Sequence, residues 1–152
     1  MEIKEFYKLS EAEQEHWTSE LAKCDWSAGE FLHELVSEKK FHDFCGKDSE
    51  VLIMTEGERL ASFCTFAEHD EIPDDSMKPW IGFVYTFPEF RGNRCSGKLC
   101  EYAVELAKKA GYKTVYVSSE EKGLYEKYGF TFLANMMSQH GYMTQVFKRN
   151  LK

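Results

Sequence analysis

Apolar positions along this chain follow two rhythms, and the switches between them mark out its elements. Glu2 to Phe6 has the short alternation of a first strand. Ser10-Glu-Ala-Glu13 has the spacing of a capping box and predicts a helix to about Lys23. Ser27-Ala-Gly-Glu30 repeats that signal. Phe31, Leu32, Leu35 and Val36 then recur at helical spacing, so a second helix runs to about Lys40, and Gly46 closes the region. The rhythm then changes. Val51 to Thr55 and Arg59 to Phe66 read as two strands joined by a tight turn at Glu56-Gly57-Glu58. Trp80 to Phe87 is a third buried run, and Gly82 inside it signals a bend or a close approach by another group.

From Ser96 the spacing is helical again. Leu99, Ala103, Leu106, Ala107 and Ala110 form one stripe, with Gly111 as the stop. Lys113 to Ser118 is a short strand, Glu120 to Lys127 a short helix, and Phe130 to Leu133 and Met143 to Lys148 two closing strands around a loop near His140-Gly141. Helices first, then a β-meander, then strand–helix–strand implies an α/β (α+β) fold with a mixed central sheet. With 152 residues and no repeat or linker, residues 1–152 read as a single domain.

Composition narrows the function. Net charge is −7, which argues against a general nucleic-acid binder. Cysteines stand at 24, 45, 64, 95 and 100, an odd number without a Cys-x-x-Cys pair, so reduced thiols are expected rather than disulfides or a metal site. The start, MEIKEF, lacks the basic and apolar regions of a signal peptide, and Ile81 to Phe87 is far too short to span a membrane. A cytoplasmic protein with no membrane partner is the expectation.

Against that acidic background, Arg91, Arg94 and Lys98 form a local basic site between a strand and a helix N-terminus, a place suited to phosphate-type anions. Gly92-Asn-Arg-Cys-Ser-Gly97-Lys98 matches G-x-x-x-x-G-K, the start of a nucleotide phosphate loop. The next residue, however, is Leu99, where such a loop needs a magnesium-binding hydroxyl. Pro88-Glu-Phe-Arg also separates the strand from Gly92, and no strand ending in Asp follows. Nucleotide hydrolysis is therefore the weaker reading.

Pro88-Glu-Phe-Arg-Gly-Asn-Arg-Cys-Ser-Gly-Lys-Leu99 instead resembles the pyrophosphate loop of the GNAT acyltransferases, the Gcn5-related N-acetyltransferase superfamily, whose usual form is P-E-[YF]-R-G-x-G-x-G followed by a helix. Leu124-Tyr-Glu-Lys-Tyr-Gly-Phe130 is similar to the family's Y-E-K-x-G-F segment, at the right distance downstream. The motifs lie between Trp80 and Phe132, and the element order extends the likeness to the whole chain. The resemblance implies a sheet of roughly six to seven strands flanked by about four helices. It also implies acetyl-CoA as co-substrate, no metal, an amine of a small molecule or a protein as acceptor, and a homodimer as a reasonable assembly. It implies that main chain at Tyr85 and Thr86 pairs with the pantetheine arm. Arg91, Gly92, Asn93, Arg94, Cys95, Ser96, Gly97 and Lys98 would surround the pyrophosphate.

The chain departs from the family pattern at Arg94 and Ser96, where glycines are usual. Arg94 would require a backbone that a non-glycine residue tolerates, and the Ser96 hydroxyl could reach phosphate. Ser118 and Ser119 stand where the family often has an asparagine.

Acetyl transfer from sulfur to nitrogen needs a donor for the leaving thiolate and a base for the ammonium. Tyr125 matches the family's tyrosine for the first role; packing on the sheet is its plain alternative. An alkylammonium has a pKa of about 10.4, so on the order of one part in a thousand is neutral at pH 7. The loop from Ala67 to Pro79 carries Glu68, Asp70, Glu71, Asp74 and Asp75. Glu68 is the first candidate base, through a water, and His69 the second; a solvated charged loop is the alternative. Trp17, Trp26, Phe31 and Trp80 are candidates for the acceptor pocket or for the core. A non-catalytic module of the same fold that binds or senses CoA remains the alternative function.

Overall fold

In a computed structural model covering residues 1–152, one sheet of seven strands carries the molecule, in the order β1-β2-β3-β4-β5-β7-β6. The strands are β1 (Glu2–Glu5), β2 (Glu50–Glu56), β3 (Arg59–Ala67), β4 (Trp80–Thr86), β5 (Thr114–Ser119), β6 (Thr131–Met137) and β7 (Met143–Asn150). Five helices accompany them: α1 (Glu11–Leu21), α2 (Ser27–Ser37), α3 (Phe41–Cys45), α4 (Cys95–Lys109) and α5 (Leu124–Lys127). Neighbouring strands run antiparallel except β4 and β5, which α4 joins in parallel.

Ser10 caps α1, its Oγ accepting from the Glu13 N–H at 3.2 Å and donating to the Glu13 carboxylate at 3.2 Å. The second signal gives no such cap: Trp26 occupies the N-cap of α2 and gives no side-chain bond. Helix α5 is shorter than its sequence pattern because Gly123 takes a left-handed backbone (φ 79°) just before it. Ser119 Oγ meanwhile accepts from the Glu121 N–H at 2.9 Å and holds a turn. Strand β6 is longer than expected and runs to Met137 as the sheet edge. Its exposed apolar residues, Phe132 and Met137 among them, break the alternation by which a half-buried strand is recognised.

The core lies between the sheet and the helices. Leu99, Ala103 and Ala107 of α4 are fully buried, as the helical stripe predicts. Trp17 and Trp80 are buried too, so neither lines a pocket; Trp80 Nε1 donates to the Met77 carbonyl at 2.6 Å. All five cysteines are free and buried.

One irregularity shapes the middle of the sheet. Between the pairs Phe63↔Tyr85 and Thr65↔Gly82, the single residue Cys64 faces two, Phe83 and Val84. Phe83 has a positive φ of 50°. This β-bulge bends β4. Strands β4 and β5 pair only at Trp80↔Tyr116 and Ile81↔Val117, and beyond that point they separate. Residues 82–86 are left with one backbone edge facing a gap rather than a strand.

Candidate active site

The gap between β4 and β5 opens into a cleft of about 990 Å³, walled on one side by α2 and α3 and on the other by the ends of β5 and β7. Its length follows β4. At the Thr86 end stands the basic loop; at the Gly82 end stand Asp70 and Glu71. The cleft thus has a cationic and an anionic pole.

The basic pole is built from backbone. The N–H groups of Gly92 through Gly97 find no acceptor within the chain, while those of Arg91 and Lys98 bond to the carbonyls of Pro88 and Arg94. This run of free donors opens the 15-residue helix α4, so the helix dipole adds to it. Arg94 sits directly before the helix with φ 59° and ψ 30°. The loop therefore keeps the left-handed backbone that glycine adopts freely and that a non-glycine residue tolerates at a cost, which Arg94 bears. Its side chain is exposed, as are those of Arg91 and Lys98.

Other side chains of the loop brace it rather than face an anion. Asn93 Nδ2 donates to the Phe90 carbonyl at 2.9 Å. Ser96 Oγ pairs with the Tyr128 hydroxyl at 2.8 Å, so it is engaged with protein rather than held out for phosphate. Gly97 lets that tyrosine approach: a Cβ there would meet the Tyr128 ring at 2.9 Å. Cys95 is buried under the loop with its thiol directed at the Phe90 carbonyl. Burial pushes that thiol up, overriding the lowering that the nearby Lys98 exerts. Arg91 folds back, its Nε donating to the Thr86 carbonyl at 3.0 Å and its guanidinium lying 5.6 Å from the Tyr85 ring centre. Tyr85 and Thr86 line the cleft, with Trp26 stacked on Tyr85 at 5.6 Å.

Tyr125 lies where β4 and β5 part. Its ring is 4% exposed and packs edge-on against Tyr128 and Phe130. It lines the cleft, and its hydroxyl is bonded to no protein group yet is not sealed from solvent. Burial pushes its phenol well above the ordinary range, so it holds its proton at neutral pH.

The acidic loop divides its residues unexpectedly. Glu68 is outside the cleft lining: its carboxylate accepts from the Asp48 N–H at 2.9 Å and packs over Gly46, bracing the connection from α3 to β2. His69 is also outside, 3.6 Å from the exposed Asp75. The residues that reach the cleft are Asp70 and Glu71. Glu71 receives hydrogen bonds from the hydroxyls of Ser118 and Tyr142, which tie the loop to β5 and to the β6–β7 turn. Gln139 completes the tie, donating from N to the Glu71 carbonyl at 2.7 Å and from Nε2 to that of Asp70 at 3.1 Å.

Asp70 presses on β4 at the bulge. A Cβ on Gly82 would lie 2.3 Å from Asp70 Oδ1 and 3.2 Å from Thr65 Oγ1, so Gly82 is the close approach that its place in a strand signalled. Thr65 Oγ1 is buried without a hydrogen-bond partner. Burial, and to a lesser degree the neighbouring Glu71 carboxylate, push the Asp70 carboxyl from 3.8 up to about 7, against the lowering by the Glu71 N–H. Glu68 follows the strand most closely, but it is Asp70 that reaches the cleft. The signal for Asp70 was Gly82, whose missing side chain makes room for a carboxylate across the strand.

No cluster of three or more His, Cys, Asp or Glu side chains stands close enough together to hold a metal ion. No helix is long and apolar enough to cross a membrane.

Comparison with known proteins follows the same geometry. Residues 6–130 match the model of the Acetyltransferase (GNAT) family. A search of curated proteins finds no match. Among solved structures, an aminoglycoside 6'-N-acetyltransferase complexed with coenzyme A is 14% identical with a TM-score of 0.71, over 99% of this chain and 97% of that one. The aminoglycoside 6'-N-acetyltransferase from Enterococcus faecium is 14% identical with a TM-score of 0.70, over 99% and 97%. The putative acetyltransferase yncA from Salmonella typhimurium, with its cofactor acetyl-CoA, is 15% identical with a TM-score of 0.63, over 100% and 94%. At these identities the likeness is one of fold.

Proposed function

Because the chain belongs to the GNAT acetyltransferase family, we propose that it transfers an acetyl group from acetyl-CoA to a primary amine of a small molecule or a protein. The observation that carries this reading is one cleft lined by Arg91 and Ser96 of the loop with the free backbone donors, by a protonated Tyr125, and by an ionisable Asp70. The solved relatives bound to coenzyme A or acetyl-CoA support the choice of co-substrate.

The residues fit that co-substrate. The N–H groups of Gly92 to Gly97 would hold its pyrophosphate, with Arg91, Arg94 and Lys98 supplying charge around it. Main chain at Tyr85 and Thr86 would pair with its extended arm, as another strand would. Acetyl-CoA supplies an acyl carbon activated by a sulfur leaving group. The free backbone edge past the bulge in β4 offers an N–H to the acyl oxygen, and a fixed donor aimed at developing charge is among the strongest aids to such reactions.

Asp70 is the proposed base. An alkylammonium loses two protons on becoming an amide. Asp70 takes the first, so that the nitrogen has a free electron pair; the second leaves as the C–N bond forms. One proton ends on the departing sulfur and one in solvent. A carboxyl near pKa 7 is suited to this, being about half ionised at neutral pH yet a better proton acceptor than an ordinary aspartate. Tyr125 donates a hydrogen bond to the departing sulfur. Its phenol is too weak an acid to be expected to lose its proton to a thiolate of pKa about 8.5, so it acts by stabilising charge.

The test is release of free thiol from acetyl-CoA on addition of amines, with CoA affinity measured in parallel. Thiol release that depends on the amine supports the transferase. Tight CoA binding without thiol release, across a panel of amines, would assign the fold to CoA binding or sensing instead.

A further inference from the structure

The acceptor end of the cleft is defined by what it leaves free for a substrate. Of its two carboxylates, Glu71 is already engaged at both oxygens, Oε1 by Tyr142 and Oε2 by Ser118. Asp70 receives no side-chain hydrogen bond. At this end one unengaged carboxylate therefore remains for one ammonium group; Glu120 and Glu121, which also line the cleft, sit with Lys122 in the turn after β5. The cations that line the cleft, Arg91 and Lys122, belong to the loop before α4 and the turn after β5 rather than to the Gly82 end.

The helix wall of the cleft is apolar. Phe31 of α2, Phe44 of α3 and Phe83 of β4 all line the cleft and are all half-buried, so each keeps part of its ring toward the open space. Phe31 meets Phe44 edge-on at 5.2 Å and Phe83 at 6.3 Å, which makes a continuous aromatic surface rather than scattered rings. The positive φ of Phe83 is part of this wall, since the bulge sets the direction of β4 at that residue. A hydroxyl-rich polycation placed here would set several charged and polar groups against rings, with one carboxylate to answer them. A single ammonium on an apolar body loses nothing by the same contact and gains the burial of its body.

We propose that the acceptor is a small primary monoamine with an aryl or branched-alkyl body, its nitrogen at Asp70 and its body on Phe31, Phe44 and Phe83. This rests on the acetyl-transfer reading for its chemistry: the C–N bond forms, the C–S bond breaks, and the proton balance is that given above. It departs from the aminoglycoside substrates named for two of the structural relatives.

The experiment has a binding arm and a turnover arm. Protein saturated with CoA is titrated calorimetrically with 2-phenylethylamine, isopentylamine, spermidine and kanamycin; the same amines are then compared by thiol release from acetyl-CoA. The expected result is that each monoamine binds, and turns over with kcat/KM, at least tenfold better than spermidine or kanamycin. Phe31→Ala should shrink that preference at least fivefold, mainly through KM, and Phe31→Leu, which keeps apolar bulk, should retain most of it. If kanamycin or spermidine equals or exceeds the monoamines, or if no monoamine binds, the monoamine inference is overturned. Failure of the acetyl-transfer reading looks different: the monoamines bind with the expected preference and no thiol appears. Transfer to kanamycin in preference to 2-phenylethylamine would uphold that reading and refute this one.

Discussion

Asp70→Asn tests the chemistry most sharply, because the same carboxyl affects activity and stability in ways that can be worked out separately. The aspartate reaches the bulge in β4 through the space left by Gly82, and its carboxyl is raised from 3.8 to about 7, chiefly by burial. As a base it must be ionised. With a pKa near 7, about half is ionised at pH 7 and about a tenth at pH 6, so kcat/KM should fall roughly tenfold per unit below pH 7 and level off above about pH 8. Asparagine keeps the shape but takes no proton, so kcat should drop by about 10²- to 10⁴-fold and the acidic limb near pH 7 should vanish.

Stability carries the opposite sign. A carboxyl raised on folding favours the folded state when protonated. Its contribution is fully present below 3.8, the ordinary value, and is lost progressively as pH rises to about 7. The melting temperature of Asp70→Asn relative to the parent should therefore climb between pH 4 and pH 7 and stay level above. Thermal melts at half-unit pH steps, alongside pH–rate profiles for both proteins, check both halves. An unchanged acidic limb in the variant would remove Asp70 from the base role. A flat difference in melting temperature would refute the claim that the carboxyl is buried at a cost.

Three further outcomes follow from particular contacts. Tyr125→Phe should lower kcat by about 10- to 100-fold, the value of a hydrogen bond to a charged group, while calorimetry shows CoA affinity within about twofold; equal kcat would place the sulfur's donor elsewhere. Arg94→Gly should be more stable than Arg94→Ala by about 1 kcal/mol in denaturant titrations, because both lose the charge and only glycine relieves the left-handed backbone at φ 59°. An alanine variant as stable as the glycine one would mean that the loop holds no such strain. Gly82→Ala would put a Cβ 2.3 Å from Asp70 Oδ1, so it should cost about 1–3 kcal/mol and displace the base, and thiol release should fall with it; retained activity would show that Asp70 need not press on the strand.

The order of elements and the anion loop were legible because they rest on local rules: periodicity, capping at Ser10, glycine stops, and a strand feeding a helix through free N–H groups. The site's other pole was not. Nothing near Asp70 in sequence separates it from Glu68, and the difference arises because Glu68 is turned toward Asp48 and Gly46 while Asp70 crosses to Gly82. Likewise the sequence around Ser96 does not show that its hydroxyl pairs with Tyr128, 32 residues on. Trp17, Trp26, Phe31 and Trp80 each read as pocket or core from sequence; Trp17 and Trp80 are core, and Trp26 and Phe31 reach the cleft. Contacts made across the sheet, rather than along the chain, decided each of these.

The central claim is transfer of an acetyl group to nitrogen, and a mass balance tests it most directly. The full chain is incubated with acetyl-CoA and a primary amine, and free thiol and acetylated amine are quantified in the same sample over time. Transfer predicts that both appear together in a one-to-one ratio, at a rate that depends on amine concentration. Thiol without acetylated amine, or CoA bound tightly with neither product, would contradict it.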